Sequence, residues 1–211
     1  MTLIVEVVKI NRTTISQFTA LKFVERKAGD DEMKKVVFSI LMANTSGMLS
    51  RISGLFSRRG YNIDSLTVGT TADPRFSRAT IVATGDEQIL NQIENQLMKL
   101  EDVLDIKTLN EGSSVCRELL LLKISANSED RQKVISVANI FRANIIDVAK
   151  ESLVIELTGN QSKLEAFINM LDGYEILELA RTGLTGLSRG TFDVKVPDET
   201  GKLVYYEQYE D

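Results

Sequence analysis

Between residues 36 and 109 the apolar residues switch repeatedly between a strand period and a helix period, and that order constrains the fold more than any other feature. Val36–Leu41 is a β-branched, apolar run suited to a buried strand. It gives way to Ala43-Asn44-Thr45-Ser46-Gly47, a cluster of turn and capping residues. Met48, Leu49, Ile52, Leu55 and Phe56 then fall on one helix face, and Gly60 after Arg58-Arg59 suits a helix end. Asn62–Val68 reads as a second strand running to a turn at Ala72-Asp73-Pro74-Arg75. Arg78–Ala83 reads as a third, closed by Gly85-Asp86. Ile89, Ile93, Leu97 and Leu100 mark a second helix, and Val103–Leu109 a fourth strand.

The order β-α-β-β-α-β predicts a ferredoxin-like unit. After a polar linker, Asn110–Val115, the same order starts again. Glu118–Ile124 is a strand, and Val134, Val137, Ile140 and Phe141 suit a helix face. Ile145–Ala149 and Leu153–Thr158 are strands, Leu164, Phe167, Ile168 and Leu171 give a helix, and Ile176–Arg181 a last strand. The expectation is therefore an α+β chain with two tandem ferredoxin-like βαββαβ domains, at 34–110 and 116–190. Residues 1–33, with a possible strand at Leu3–Ile10, read as an N-terminal extension, and Met33 is a candidate start. Thr191–Asp211 is acidic, carries Tyr205, Tyr206 and Tyr209, and reads as a mobile tail.

Composition narrows the chemistry. The chain has no histidine, so it has no imidazole base and no Ser-His or Cys-His pair. Its one cysteine, Cys116, cannot form an internal disulfide or a thiolate cage, which points to a cytoplasmic protein. Carboxylates are numerous, yet no pair stands out as an acid/base couple. Lys plus Arg number 25 against 30 for Asp plus Glu, a net charge of -5, which argues against nucleic-acid binding. Arg78–Ala83 also lacks the aromatics with which an RNA-binding sheet stacks bases. Apolar runs such as Leu119–Leu122 are too short to cross a bilayer. Gly183, Gly186 and Gly190 match no phosphate-loop spacing.

One segment invites a ligand. Asn44-Thr45-Ser46-Gly47 ends a strand and opens a helix, where backbone N–H groups and the helix dipole favour a carboxylate or phosphate. Asn44 and Asn62 each offer both a donor and an acceptor, and Met48 and Leu49 are candidates for an apolar wall. A zwitterionic amino acid needs that mixture. The same residues also suit an ordinary N-cap, and composition does not decide between the two. Arg58 and Arg59 suit the negative end of the helix.

The unbroken stretch from Asn44 to Val68 closely resembles the regulatory small subunit of acetolactate synthase, also called acetohydroxyacid synthase. Asp73-Pro74, Ser77-Arg78, Gln92–Leu97, Ile140-Phe141-Arg142, Ile145–Val148, Ala180–Gly183 and Gly186–Gly190 extend the match over roughly 34–190. The resemblance implies an ACT regulatory domain at 34–110 followed by a second ferredoxin-like domain. ACT domains pair side by side, which implies a homodimer with an amino-acid effector, typically valine, at the interface. The implied effector-binding residues are Asn44, Ser46, Gly47, Met48 and Leu49, with Tyr61, Asn62 and Ile63 across the interface.

The resemblance also implies no catalytic centre and no cofactor in this chain. Thiamine diphosphate, Mg and FAD are expected in a large catalytic subunit, the implied partner, which condenses pyruvate with pyruvate or 2-oxobutyrate in branched-chain amino acid biosynthesis. The small subunit would activate that enzyme and confer feedback inhibition by valine. The competing expectation is a stand-alone ACT-type amino-acid sensor regulating another enzyme. Neither nucleic acid nor a membrane is an expected partner.

Overall fold

The β-branched run after residue 33 forms a central strand, and the rest of its unit assembles around it. The computed structural model describes residues 33–191 and 194–206. Of the expected extension at 1–33, residues 1–32, with the strand at Leu3–Ile10, lie outside the described residues, as do 192–193 and 207–211 with Tyr209.

The described residues divide into two compact units, 33–116 with 183–191 and 194–206, and 117–182. The first contains β1 (Lys34–Ala43), α1 (Met48–Arg59), β2 (Ser65–Thr70), β3 (Phe76–Gly85), α2 (Glu87–Leu97) and β4 (Val103–Thr108). Its antiparallel sheet runs β2-β3-β1-β4, with Phe38 opposite Ile81 and Ser39 opposite Thr80. One face carries Phe38, Ile40, Ala79 and Ile81 against Ile52 and Phe56 of α1 and Ile93 and Leu97 of α2. The second face of β1 and β3 is buried too, through Ser39, Leu41, Thr80 and Val82. The apolar faces of α1 and α2 were legible, with two adjustments. Leu49 turns to solvent, and Leu90 rather than Ile89 is fully buried.

Strand β2 starts three residues later than the sequence suggests. Gly60 caps α1, its N–H donating to Phe56 O and Ser57 O, and the Asn62 amide then bonds the Asp64 carboxylate. Residues 61–64 are thus spent on leaving the helix.

The second unit repeats the order with β5 (Ser114–Ser125, belonging to this unit from Arg117), α3 (Arg131–Phe141), β6 (Asn144–Val148), β7 (Ser152–Gly159), α4 (Gln161–Met170) and β8 (Ile176–Arg181). Its sheet runs β6-β7-β5-β8, the same topology. Leu120, Leu122, Ile124, Leu153, Ile155 and Leu157 pack on Val134, Leu164 and Phe167. Helix α3 is rotated from the expected face: Val134 and Ala138 are buried, whereas Ile140 is 73% exposed. Ala138, one turn after Val134, marks the inner face; its small side chain gives that position little weight in the apolar pattern.

Glu118 is buried in this unit, and Arg181 meets it with a two-pronged bond, Nε to Oε1 at 2.8 Å and Nη2 to Oε2 at 2.7 Å. Removing only the cation leaves a buried carboxylate without its partner. Arg181→Met should therefore cost about 3 kcal/mol in urea unfolding, and Arg181→Met with Glu118→Leu should recover most of it. Equal stability of the single and double variants would show that the pair is not coupled.

Beyond Thr182 the chain does not trail away. β9 (Thr185–Ser188) pairs with β5, and β10 (Lys195–Pro197) and β11 (Leu203–Tyr205) form a hairpin with Val196 opposite Val204. Gly186 is required by close approach: a Cβ there would lie 2.6 Å from Cys116 Sγ and 2.7 Å from Leu109 Cδ1. The expectation of a mobile tail from residue 191 is thus corrected for its described part. Val194-Lys195-Val196 and Leu203-Val204-Tyr205 flank Asp198-Glu199-Thr200-Gly201, a strand-turn-strand signal that the acidic composition masks. Among the described residues no helix is long and apolar enough to cross a membrane.

Candidate functional site

The loop between β1 and α1 is built from the backbone outward. The Ala43 N–H donates to Asp102 O at 2.8 Å, and the Asn44 N–H to Arg75 O at 2.7 Å. The Asn44 side chain reaches the same turn, its Nδ2 donating to Pro74 O at 3.0 Å. Arg51 of α1 forms an ion pair with Asp102. The loop is pinned on two sides before the helix starts.

The helix then begins without a side-chain cap. Its N-cap is Gly47, at φ 84 in the left-handed region that glycine enters freely, and the first turn contains no acidic residue. By contrast, Asp86 caps α2, accepting from the Ile89 N–H at 2.7 Å, and Asn160 caps α4, accepting from the Lys163 N–H at 3.1 Å. Helix α3 has no capping bond but places Asp130 at its N-cap. Among the described helices, α1 alone has neither a capping side chain nor a carboxylate at that end. The Asn-Thr-Ser run does not cap the helix: Gly47 holds the N-cap position with no side-chain capping bond, and the Asn44 amide nitrogen donates instead to the Pro74 carbonyl. What remains is an exposed, positively polarised helix terminus suited to an anion.

The other implied residues lie at the far end of α1. The Tyr61 ring stands edge-on to Phe56 at 6.1 Å, and its hydroxyl donates to Gln92 Oε1 at 3.0 Å. Asn62 is exposed, and its Nδ2 donates to Asp64 Oδ1 at 2.8 Å. Thr84 Oγ1 holds the other Asp64 oxygen at 2.6 Å. The Asn62 amide is thereby oriented, with its carbonyl oxygen left as an acceptor beside a carboxylate, a suitable pair for an ammonium. The role of Asp64 in setting Asn62 rests on a Thr84 contact that spacing does not reveal. Ile63 is half-buried against the core.

Asn44, Ser46 and Gly47 thus share one exposed loop with Leu49, while Met48 turns inward, 3% exposed, into the core. Tyr61, Asn62 and Ile63 form a second group. The twelve residues of α1 separate the groups by about 18 Å. No single copy brings them together. Among the described residues there is no cluster of three or more His, Cys, Asp or Glu that could hold a metal.

Comparison with known proteins finds two matches along the chain. Residues 38–105 match a family model described as an AHAS small subunit-like ACT domain, and residues 117–190 one described as the small subunit of acetolactate synthase. The acetolactate synthase isozyme 3 small subunit of Salmonella typhimurium is 50% identical over 155 residues, covering 73% of this chain and 95% of the relative. A probable acetolactate synthase small subunit of Methanothermobacter thermautotrophicus is 44% identical over 156 residues, covering 74% and 93%. The crystal structure of the acetolactate synthase small subunit from Thermotoga maritima superposes with a TM-score of 0.70 at 39% identity, over 74% of this chain and 98% of that one.

Proposed function

Since the chain belongs to the acetolactate synthase small-subunit family, we propose that it activates a cytoplasmic catalytic large subunit and makes it sensitive to valine. In this reading thiamine diphosphate, Mg and FAD reside in the large subunit, and the present chain supplies regulation alone. The observation that carries the reading is the uncapped α1 terminus at Gly47. It offers N–H donors for the carboxylate of an amino acid, and Leu49, 44% exposed, offers apolar surface for its side chain.

The distance between the two residue groups supports a site shared by two copies. Strand β2 is an edge of its sheet, and α1 leads from interior β1 to that edge. A twofold axis joining two β2 edges lays the two α1 helices antiparallel. The Asn44–Leu49 loop of one copy then faces Tyr61, Asn62 and Ile63 of its partner. Each dimer holds two equivalent effector sites, with the ammonium near Asn62 and Asp64.

Regulation follows by linkage. Valine shifts the complex only as far as its affinities for the active and less active arrangements differ, and a coupling of about 1–3 kcal/mol is ordinary. Calorimetric titration of the chain with valine, leucine and isoleucine tests the reading. Saturable binding of one effector per copy supports it, with valine tightest. Absence of binding for all three amino acids would remove the effector assignment.

A further inference from the structure

The second face of the first unit's sheet carries polar groups beside Leu41 and Val82 and yet is buried. Ser39 and Thr80 are each 2% exposed, Asp105 is 8%, and Arg78 Nη1 donates to Ser39 Oγ at 3.0 Å. Residues after Thr182 run against this face. The Leu184 N–H donates to Ser65 Oγ at 3.2 Å, β9 contacts β3, and Lys195 Nζ pairs with Asp105 Oδ1 at 2.6 Å. The Lys195 ammonium also lies 5.6 Å from the centre of the Tyr205 ring, so one cation joins both hairpin strands to β4.

The hairpin turn is ordered by its own bonds. Asp198 Oδ1 accepts from the Thr200 N–H at 2.9 Å, the Thr200 hydroxyl at 2.7 Å and the Lys202 N–H at 2.9 Å. These bonds, the Thr200 side chain foremost, hold the Asp198 carboxyl below the usual carboxylate range. The turn lies on the β2–β3 connection: a Cβ on Gly201 would stand 3.5 Å from Arg75 Nη1 and 4.0 Å from Phe76 Cζ. Arg75 in turn grips Asp73 through Nε and Nη2 at 2.6–3.0 Å. Pro74 O and Arg75 O are the two acceptors that pin Asn44.

We propose that residues 194–206 form an intramolecular strap that holds the Asp73–Phe76 turn and, through Asn44, fixes the β1–α1 loop in its effector-binding geometry. The inference rests on the effector reading above and adds a regulatory element to it. The family match ends at residue 190, so the strap is an addition to the matched domains. It acts from Gly201, which lies beside Arg75, through the Asp73–Phe76 turn to Asn44, while Lys195 anchors the hairpin to β4; no new ligand is needed.

Two variants of the full chain test it: a truncation ending at Gly190, and Lys195→Met, which breaks the anchor to Asp105 while sparing the backbone. Hydrogen exchange over residues 43–48 and valine affinity by calorimetry are read on each, beside the unaltered chain. Expected are at least tenfold faster exchange at the Asn44 amide and at least fivefold weaker valine binding, the low end of ordinary couplings. If the truncated chain does not fold, the same two readings on Lys195→Met decide. Exchange or affinity within twofold of the unaltered chain overturns the strap. The exchange arm contains no amino acid, so failure of valine to bind the unaltered chain refutes the effector reading separately.

Discussion

Gly47→Asp is expected to remove valine binding, weakening it more than a hundredfold, while the chain stays folded and still activates its partner. The prediction rests on two properties of the site. A side chain at 47 has room, since a Cβ there meets nothing within 4 Å. The backbone stands at φ 84, a conformation that costs most residues about 1–2 kcal/mol but that Asp and Asn tolerate better. The fold therefore survives. The new carboxylate would cap α1 itself, occupying the N–H groups that the effector's carboxylate needs, and would repel that carboxylate besides. Gly47→Asn supplies the control, with the same tolerance of φ and a similar cap but no charge; it should weaken binding less. Inhibition curves of the complex and calorimetry on the chain check both. If Gly47→Asp leaves the valine response intact, the effector is not held at this helix terminus.

Mixing two insensitive variants is expected to restore sensitivity. Asn62→His removes the amide at the far end of α1 and, like Gly47→Asp, spoils both sites of its own dimer. The two groups are about 18 Å apart along the helix, so in the proposed dimer each site would take one group from each copy. A mixed dimer of the two variants then contains one doubly altered site and one intact site. With free exchange of copies in equal amounts, half of the dimers are mixed and about a quarter of all sites are intact. Calorimetry should find those sites with unaltered affinity, where neither variant alone binds. A mixture as inert as its components would show that the site is built within one copy, and valine binding by Asn62→His alone would show that the far group plays no part in it.

The fold was legible wherever turn chemistry separated periodic segments. Gly60, Pro74 and Gly85-Asp86 stand at or near element ends, and the first βαββαβ unit was readable from them. Legibility failed where tertiary context overrode local pattern. Ile140 looks like core and is exposed, because the face of α3 is set by Val134 and Ala138. Residues 194–206 look like a solvated tail by charge, yet Lys195 is recruited by a buried aspartate ninety positions away. In the site, the exposed anion-favouring terminus was readable from Asn44–Gly47. That Gly47 itself caps the helix, that Asn44 bonds Pro74, and that Asp64 orients Asn62 were not, since each depends on a neighbour brought in by another strand or loop.

The central claim is regulation of another subunit's chemistry, and one assay addresses it directly. Acetolactate formation is followed for the chain alone, for its catalytic large subunit alone, and for the two together across a valine titration. The account predicts no turnover from the chain alone, higher turnover from the pair than from the large subunit, and loss of that turnover as valine rises. Turnover by the isolated chain, or a large subunit indifferent to its presence at every valine concentration, would contradict it.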